Sequence, residues 1–116
     1  MDGELDLELY TVCLIRLNNG LEKLEYDITA SKAMFEDSAS DLKEFFLDTV
    51  DNLNRKEIDY REYELFFENG KNSFPQYINI LKETLDNTYD DELKDSLESL
   101  INTFTNLNKI AEGMIK

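Results

Sequence analysis

Carboxylates are the commonest side chains in this sequence that could do chemistry, and five of them recur at helical spacing. Their separations are four, three, four and three residues: Asp37, Asp41, Glu44, Asp48 and Asp51. At about 100° per residue, the five side chains fall within a strip of roughly 80° on one side of an α-helix. Aligned carboxylates bind the arginine and lysine side chains with which many proteins hold nucleic acid. We call these five residues the acidic stripe and predict that they bind a partner.

The overall charge favours a basic protein as that partner. The chain has 26 acidic and 12 basic residues, a formal net charge of -14. Direct binding to nucleic acid or to an anionic membrane needs clustered Lys and Arg, so we expect neither. Near the C-terminus, Asp91 and Asp95 repeat the helical spacing and join the predicted partner-binding set.

A solvent-exposed helix face is the alternative interpretation of the acidic stripe, because surface helices are usually charged opposite the core. Stability alone would favour interleaved Glu–Lys pairs on such a face. Lys43 is the one basic residue within the span of the stripe. The scarcity of interleaved lysine therefore favours binding.

Aromatic residues could supply an apolar anchor beside the acidic charge. The six Tyr and seven Phe are concentrated in the middle of the chain. Interfaces often place Tyr in a desolvated centre, where it contributes much of the binding energy. A helical core would explain most of these aromatics, and we expect Tyr60 and Tyr63 to be the exposed pair.

Catalytic and metal-binding patterns are missing from the sequence. It has no His, a single Cys, and four Gly that are scattered rather than grouped. These counts exclude Ser–His and Cys–His nucleophiles, His-based metal sites and glycine-rich phosphate loops. We expect no enzymatic activity and no cofactor. Cys13 lies in an apolar run, which predicts a buried, unreactive thiol.

The segment 42–67 resembles an EF-hand, the helix–loop–helix calcium site. Asp51 and Glu62 match the first and last positions of its twelve-residue loop, and Ile58 matches the central apolar position. Leu53 and Arg55 replace oxygen ligands, and Lys56 replaces the glycine of the turn. The resemblance therefore implies a degenerate helix–loop–helix without calcium, which is the weakest of our functional alternatives.

Helices must position these residues. In the last quarter, apolar residues recur at steps of four and three: Leu93, Leu97, Leu100, Phe104, Leu107, Ala111 and Met114. This period predicts one long C-terminal helix. A second seam of the same period is formed by Leu7, Tyr10, Leu14, Leu17, Leu21, Leu24 and Ile28. We expect the first helix to continue through Asn18-Asn19-Gly20 to about Phe35, since the seam keeps its phase there, and the two seams to be candidates for packing together.

Capping residues predict the other boundaries. Ser38 or Ser40 would begin a second helix that ends near Arg55, and Asp59 would cap a third. Gly70 would end that third helix. The capping box Ser73–Gln76, with Pro75 in the first turn, would begin a fourth, and Thr88 a fifth.

The sequence thus predicts an all-α, up-and-down bundle of about five helices with a long C-terminal helix, spanning residues 1–116 as a single domain. We expect a soluble, cytoplasmic protein, because the longest apolar run, Val12–Ile15, cannot span a bilayer and the first residues are acidic. The leading functional hypothesis is occlusion of a basic, nucleic-acid-binding or nuclease-type protein, as by an immunity protein, an antitoxin or a phage-encoded inhibitor. The alternative is a helical adaptor or assembly protein that pairs through its heptad seams, including a homodimer.

Overall fold

The chain folds into four helices in a computed structural model that describes residues 4–55 and 58–114. They are α1 (Leu7–Lys23), α2 (Ile28–Arg55), α3 (Tyr60–Asp86) and α4 (Asp91–Met114). Helix α1 packs along α2, α3 packs along α4, and α2 packs along α4. The all-α, up-and-down bundle is confirmed, but the described residues form four helices rather than about five.

Helix α4 is the long C-terminal helix that the heptad spacing predicts. Asp90 accepts a hydrogen bond from the backbone N–H of Leu93 at 3.0 Å and so caps its first turn. The apolar residues of its seam from Leu93 to Ala111 are at most 1% exposed. They pack against α2 and α3, whereas α1 packs along α2, so the two predicted seams are not paired along their length.

Small residues bring α1 and α2 close together. The Ser31 hydroxyl donates to the Gly20 carbonyl at 2.7 Å, and the Ser38 hydroxyl donates to the Cys13 carbonyl at 2.9 Å. Gly20 therefore lies inside α1, as predicted, and the Phe35 ring covers it. Ser38 does not cap a helix, because its hydroxyl is buried in this contact.

The turn between α1 and α2 lies earlier than the seam predicted. Helix α1 ends at Lys23, and Asp27 accepts a hydrogen bond from the Ala30 N–H at 3.1 Å in the first turn of α2. The expected continuation of the first helix to Phe35 is wrong. The apolar residues keep their spacing of three and four across the short turn, and Leu24 still packs against the core, so the spacing does not reveal the break.

Helix α3 is continuous where two helices were expected. Asp59 caps it as predicted, accepting from the Arg61 N–H at 3.1 Å. Gly70 does not end the helix, and the capping box around Pro75 does not begin another, because both residues lie inside Tyr60–Asp86. Thr88 is not a cap of α4 either, since its hydroxyl donates to the Thr84 carbonyl at 2.8 Å.

The thiol of Cys13 is fully buried, in agreement with the sequence-based expectation. Its sulfur lies 3.2 Å from the Ser38 hydroxyl oxygen. Burial raises the pKa of the thiol to about 11, so the nucleophilic thiolate is scarce at neutral pH. In the part of the chain that the structure describes, no helix combines the length and apolar character needed to cross a membrane.

Candidate partner-binding surfaces

The acidic stripe lies on the outer side of α2, with four members exposed and two members in ion pairs. Asp37, Glu44 and Asp48 are exposed, and no ion pair joins any of them to a cation within residues 4–55 and 58–114. Asp41 forms an ion pair with Arg16 of α1, which leaves its side chain 18% exposed. The stripe is therefore open at these three positions and covered at Asp41.

The fifth member, Asp51, is exposed and pairs with Arg55 one turn further along α2, with 3.1 Å between its carboxylate oxygen and the guanidinium nitrogen. Lys43, the one basic residue within the span of the stripe, forms neither of these pairs. Asp41 pairs with Arg16 of the neighbouring helix, which a single-helix projection does not include, and Asp51 pairs with Arg55 just beyond the stripe on the same helix.

A groove of about 420 Å³ separates the outer sides of α2 and α4. Lys43 and the exposed Leu47 line it from α2, and Asp95 and Glu98 line it from α4. Lys43 thus lies on the α4 side of α2, away from the Asp41–Arg16 pair. Asp91 is exposed in the first turn of α4, so both predicted α4 carboxylates are accessible.

The predicted pair of exposed tyrosines is divided by the structure. Tyr60 begins α3 and is 55% exposed, whereas Tyr63 is fully buried. The side-chain amide of Asn52 donates to the Tyr63 hydroxyl at 3.0 Å. The expectation that Tyr63 is exposed is wrong, because Tyr63 lies on the core face of α3 together with Phe67, Gly70 and Phe74. These residues recur at steps of four, three and four, but a helix expected to end at Gly70 does not include the whole pattern.

The most exposed aromatics lie instead at the end of the bundle where the α1–α2 and α3–α4 turns meet. Tyr26 in the first turn is 73% exposed, and Tyr89 in the second is 95% exposed. Between the turns is a cleft of about 650 Å³, which we call the turn cleft. Its lining includes apolar Leu24, Ile28 and Leu93. Sequence reasoning missed this site, because the turn between α1 and α2 was not predicted and the cleft depends on that turn.

Carboxylates surround the turn cleft. Glu25, Glu83 and Asp90 line it, and Lys32 binds Asp90 and Glu92 at 3.1 and 3.0 Å. The backbone N–H of Leu93, and then Lys32, hold the pKa of Asp90 below its ordinary value. Hydrogen bonds to Glu92 and Asp90 raise the pKa of Lys32. Lys32 is thus already engaged with two carboxylates.

The loop that resembles an EF-hand does not have the shape of a calcium loop in its first part. Asp51 and the four residues after it belong to α2, and an Asp59 carboxylate oxygen accepts the capping hydrogen bonds of α3. Lys56 lies outside the described residues. Among the residues that are described, no three Cys, Asp or Glu side chains converge as a metal site would require.

Comparison with known protein families, curated proteins and solved structures found no match to this chain.

Proposed function

We propose that this protein is a small acidic binding protein that occludes a basic surface on a nucleic-acid-binding or nuclease-type partner. Immunity proteins, antitoxins and phage-encoded inhibitors act in this way. The observation that supports the proposal is the exposed row Asp37, Glu44 and Asp48 on α2, which has no cationic partner within the described part of the chain. Like charges one turn apart cost a few tenths of a kcal/mol each, so the row does not serve the stability of α2.

Electrostatics would act at two stages of binding. A net charge of -14 attracts a cationic protein over about one Debye length, roughly 8–10 Å at physiological salt. Once the two surfaces meet, carboxylates can form charge-assisted hydrogen bonds with Arg and Lys. Those cations are then no longer available to phosphate groups, and the partner is inhibited by occlusion without any chemical step.

Pairing of heptad seams between chains was the alternative expected from the sequence. The seam of α4 is already buried against α2 and α3 of the same chain, so an assembly would have to use the exposed members of the first seam, Leu7 and Ile28, or another surface. The negative charge also opposes association of two copies. These observations favour a basic partner over a second copy of this chain.

A matched pair of charge reversals tests the proposal. One variant carries Glu44→Lys and Asp48→Lys in the acidic stripe. Its control carries Glu64→Lys and Glu68→Lys, which are also exposed, four residues apart, and lie on α3. Both variants change the net charge equally, so a difference between them reports the position of the charge.

The native chain and both variants are immobilised and exposed to lysate of the source organism at low salt, and a captured protein is then purified for kinetics. We expect the native chain and the control to capture a basic protein that elutes with salt. The stripe variant should associate with it at least tenfold more slowly at low ionic strength. Equal association rates for the two variants would refute the role of the stripe.

A further inference from the structure

We infer that the turn cleft binds an arginine side chain presented by the basic partner, with the guanidinium group against the ring of Tyr89. This inference rests on the proposed function and names the group that the partner inserts. Its geometric basis is the position of a highly exposed tyrosine at the mouth of an apolar cleft that carboxylates surround.

The shape of the turn cleft suits a long side chain. Its volume of about 650 Å³ falls inside the roughly 300–1,000 Å³ typical of ligand pockets. Leu24, Ile28 and Leu93 provide apolar lining. Ile28 is 45% exposed, so its apolar surface is accessible to an incoming side chain. The three methylenes of arginine can pack on such a surface while the charged end stays near water.

The charge of the cleft selects a cation. Glu25, Glu83 and Asp90 line it, and the nearby Lys32 is held by Asp90 and Glu92. The C-terminus of α3 and the N-termini of α2 and α4 meet at this cleft, so their partial charges oppose one another and the carboxylates set the sign of the charge. A second copy of this chain would bring the same carboxylates together, so the complementary occupant is a basic protein segment.

Tyr89 makes arginine a better occupant than lysine. Its side chain is 95% exposed, so a ring face is free to receive a cation. A guanidinium group is planar and weakly hydrated, and it stacks on an aromatic ring while its N–H groups bind carboxylates. An ammonium group is more strongly hydrated and cannot stack in this way.

The probe for this inference is the octapeptide acetyl-Gly-Ser-Arg-Gly-Ser-Arg-Gly-Ser-amide, compared with its lysine counterpart. Each is titrated at low salt into the ¹⁵N-labelled 116-residue chain, and amide chemical shifts are followed by NMR. We expect shifts at Leu24–Ile28 and Thr84–Asp90, and binding of the arginine peptide at least twofold tighter than that of the lysine peptide.

Two substitutions and one control identify the site. Tyr89→Ala should weaken binding of the arginine peptide about three- to fivefold, as expected for an exposed cation–π contact. The double variant Glu25→Gln and Glu83→Gln should weaken it about tenfold and reduce its dependence on salt. Leu65→Ala removes a large apolar side chain that is 60% exposed on α3 and does not line the cleft, and it should leave the affinity unchanged.

The possible failures are distinguishable. Shifts confined to Asp37–Asp51, with Tyr89→Ala binding as tightly as the native chain, would overturn the turn cleft and leave the proposed function standing. Shifts in the turns that persist in the stripe variant would support the cleft, whereas the role of the stripe is decided by the association rates of the captured partner. Binding of neither peptide at low salt would overturn the cleft inference and leave the proposed function to the capture experiment. Shifts that follow protein concentration without peptide would indicate a second copy as the occupant and would also overturn the cleft inference.

Discussion

The ring of Phe74 lies directly over Gly70, one helical turn earlier on α3. A Cβ atom built at Gly70 would come within 2.5 Å of Cζ of this ring, well inside van der Waals contact. Phe74 in turn contacts the rings of Phe67 and Phe104, with centroid distances of 6.3 and 6.1 Å. Glycine at position 70 is therefore a packing requirement of the aromatic core rather than the end of a helix.

Gly70→Ala should lower the free energy of unfolding by about 1–2 kcal/mol, because overpacking of the Phe74 ring exceeds the gain in helix propensity. Gly113→Ala is the control, since a Cβ atom there meets nothing within 4 Å. That control should be neutral or stabilising by up to about 1 kcal/mol. Urea unfolding followed by circular dichroism measures both, and a stabilised Gly70→Ala protein would contradict this account of the contact.

Two residues of the acidic stripe should respond in opposite ways to charge reversal. Asp41→Lys removes the ion pair with Arg16 and places two cations together, so we expect a loss of about 1 kcal/mol. Asp48→Lys creates a favourable pair with Glu44 four residues earlier and should be neutral or stabilising by a few tenths of a kcal/mol. Thermal unfolding of both variants at low and high salt tests this, and equal effects at the two positions would contradict it.

The phenol of Tyr10 should make the fold sensitive to alkali. Burial, followed by the nearby Tyr77 and Cys13, raises the pKa of Tyr10 above its ordinary value of 10.0. The folded state then holds this proton more tightly than the unfolded state, so the stabilisation is complete below about pH 10 and declines above it.

Tyr10→Phe retains a ring at the contact with Phe66, whose centroid lies 5.0 Å away. The variant should lose less stability than the native chain between pH 9 and pH 11. Urea unfolding at both pH values gives the comparison, and parallel losses in the two proteins would show that Tyr10 does not titrate differently in the folded state.

Asp90→Asn should separate the charge of Asp90 from its capping role, because Asn caps helices as well as Asp. The lowered pKa of Asp90 means that its charge stabilises the fold at neutral pH, and that this contribution disappears as the pH falls through the pKa of the folded state. We expect the variant to be less stable than the native chain at pH 7 and equal to it near pH 2. A stability difference that is the same at both pH values would contradict this prediction.

Periodicity predicted the parts of the fold in which one apolar face decides the structure. The seam of α4 and the continuity of α1 through Gly20 follow from spacing alone, whereas the cap at Asp59 follows from its residue type and from Glu62 three residues later. Gly70 misled the prediction because glycine can either end a helix or make room for a neighbouring side chain inside one. Only the position of the Phe74 ring shows that the second role applies here. The turn before Asp27 was missed because it contains neither Gly nor Pro and does not shift the apolar phase.

The candidate surfaces were predictable only where they depend on one helix. Exposure of Asp37, Glu44 and Asp48 follows from the helical projection of α2. Pairing of Asp41 with Arg16 depends on how two helices pack, which spacing within one helix does not specify. The turn cleft joins residues that are about sixty positions apart in sequence, such as Leu24 after α1 and Glu83 near the end of α3, so only the folded chain reveals it.

The side-by-side packing of α2 and α4 has a consequence for how the protein assembles. Each helical hairpin can form from contacts that are local in sequence, but the interface between the hairpins joins distant segments and needs closure of a long chain loop. Docking of preformed hairpins is therefore the expected slow step of folding. The bundle resembles a heterodimer whose subunits are covalently joined, and the link supplies the high effective concentration that separate fragments would lack.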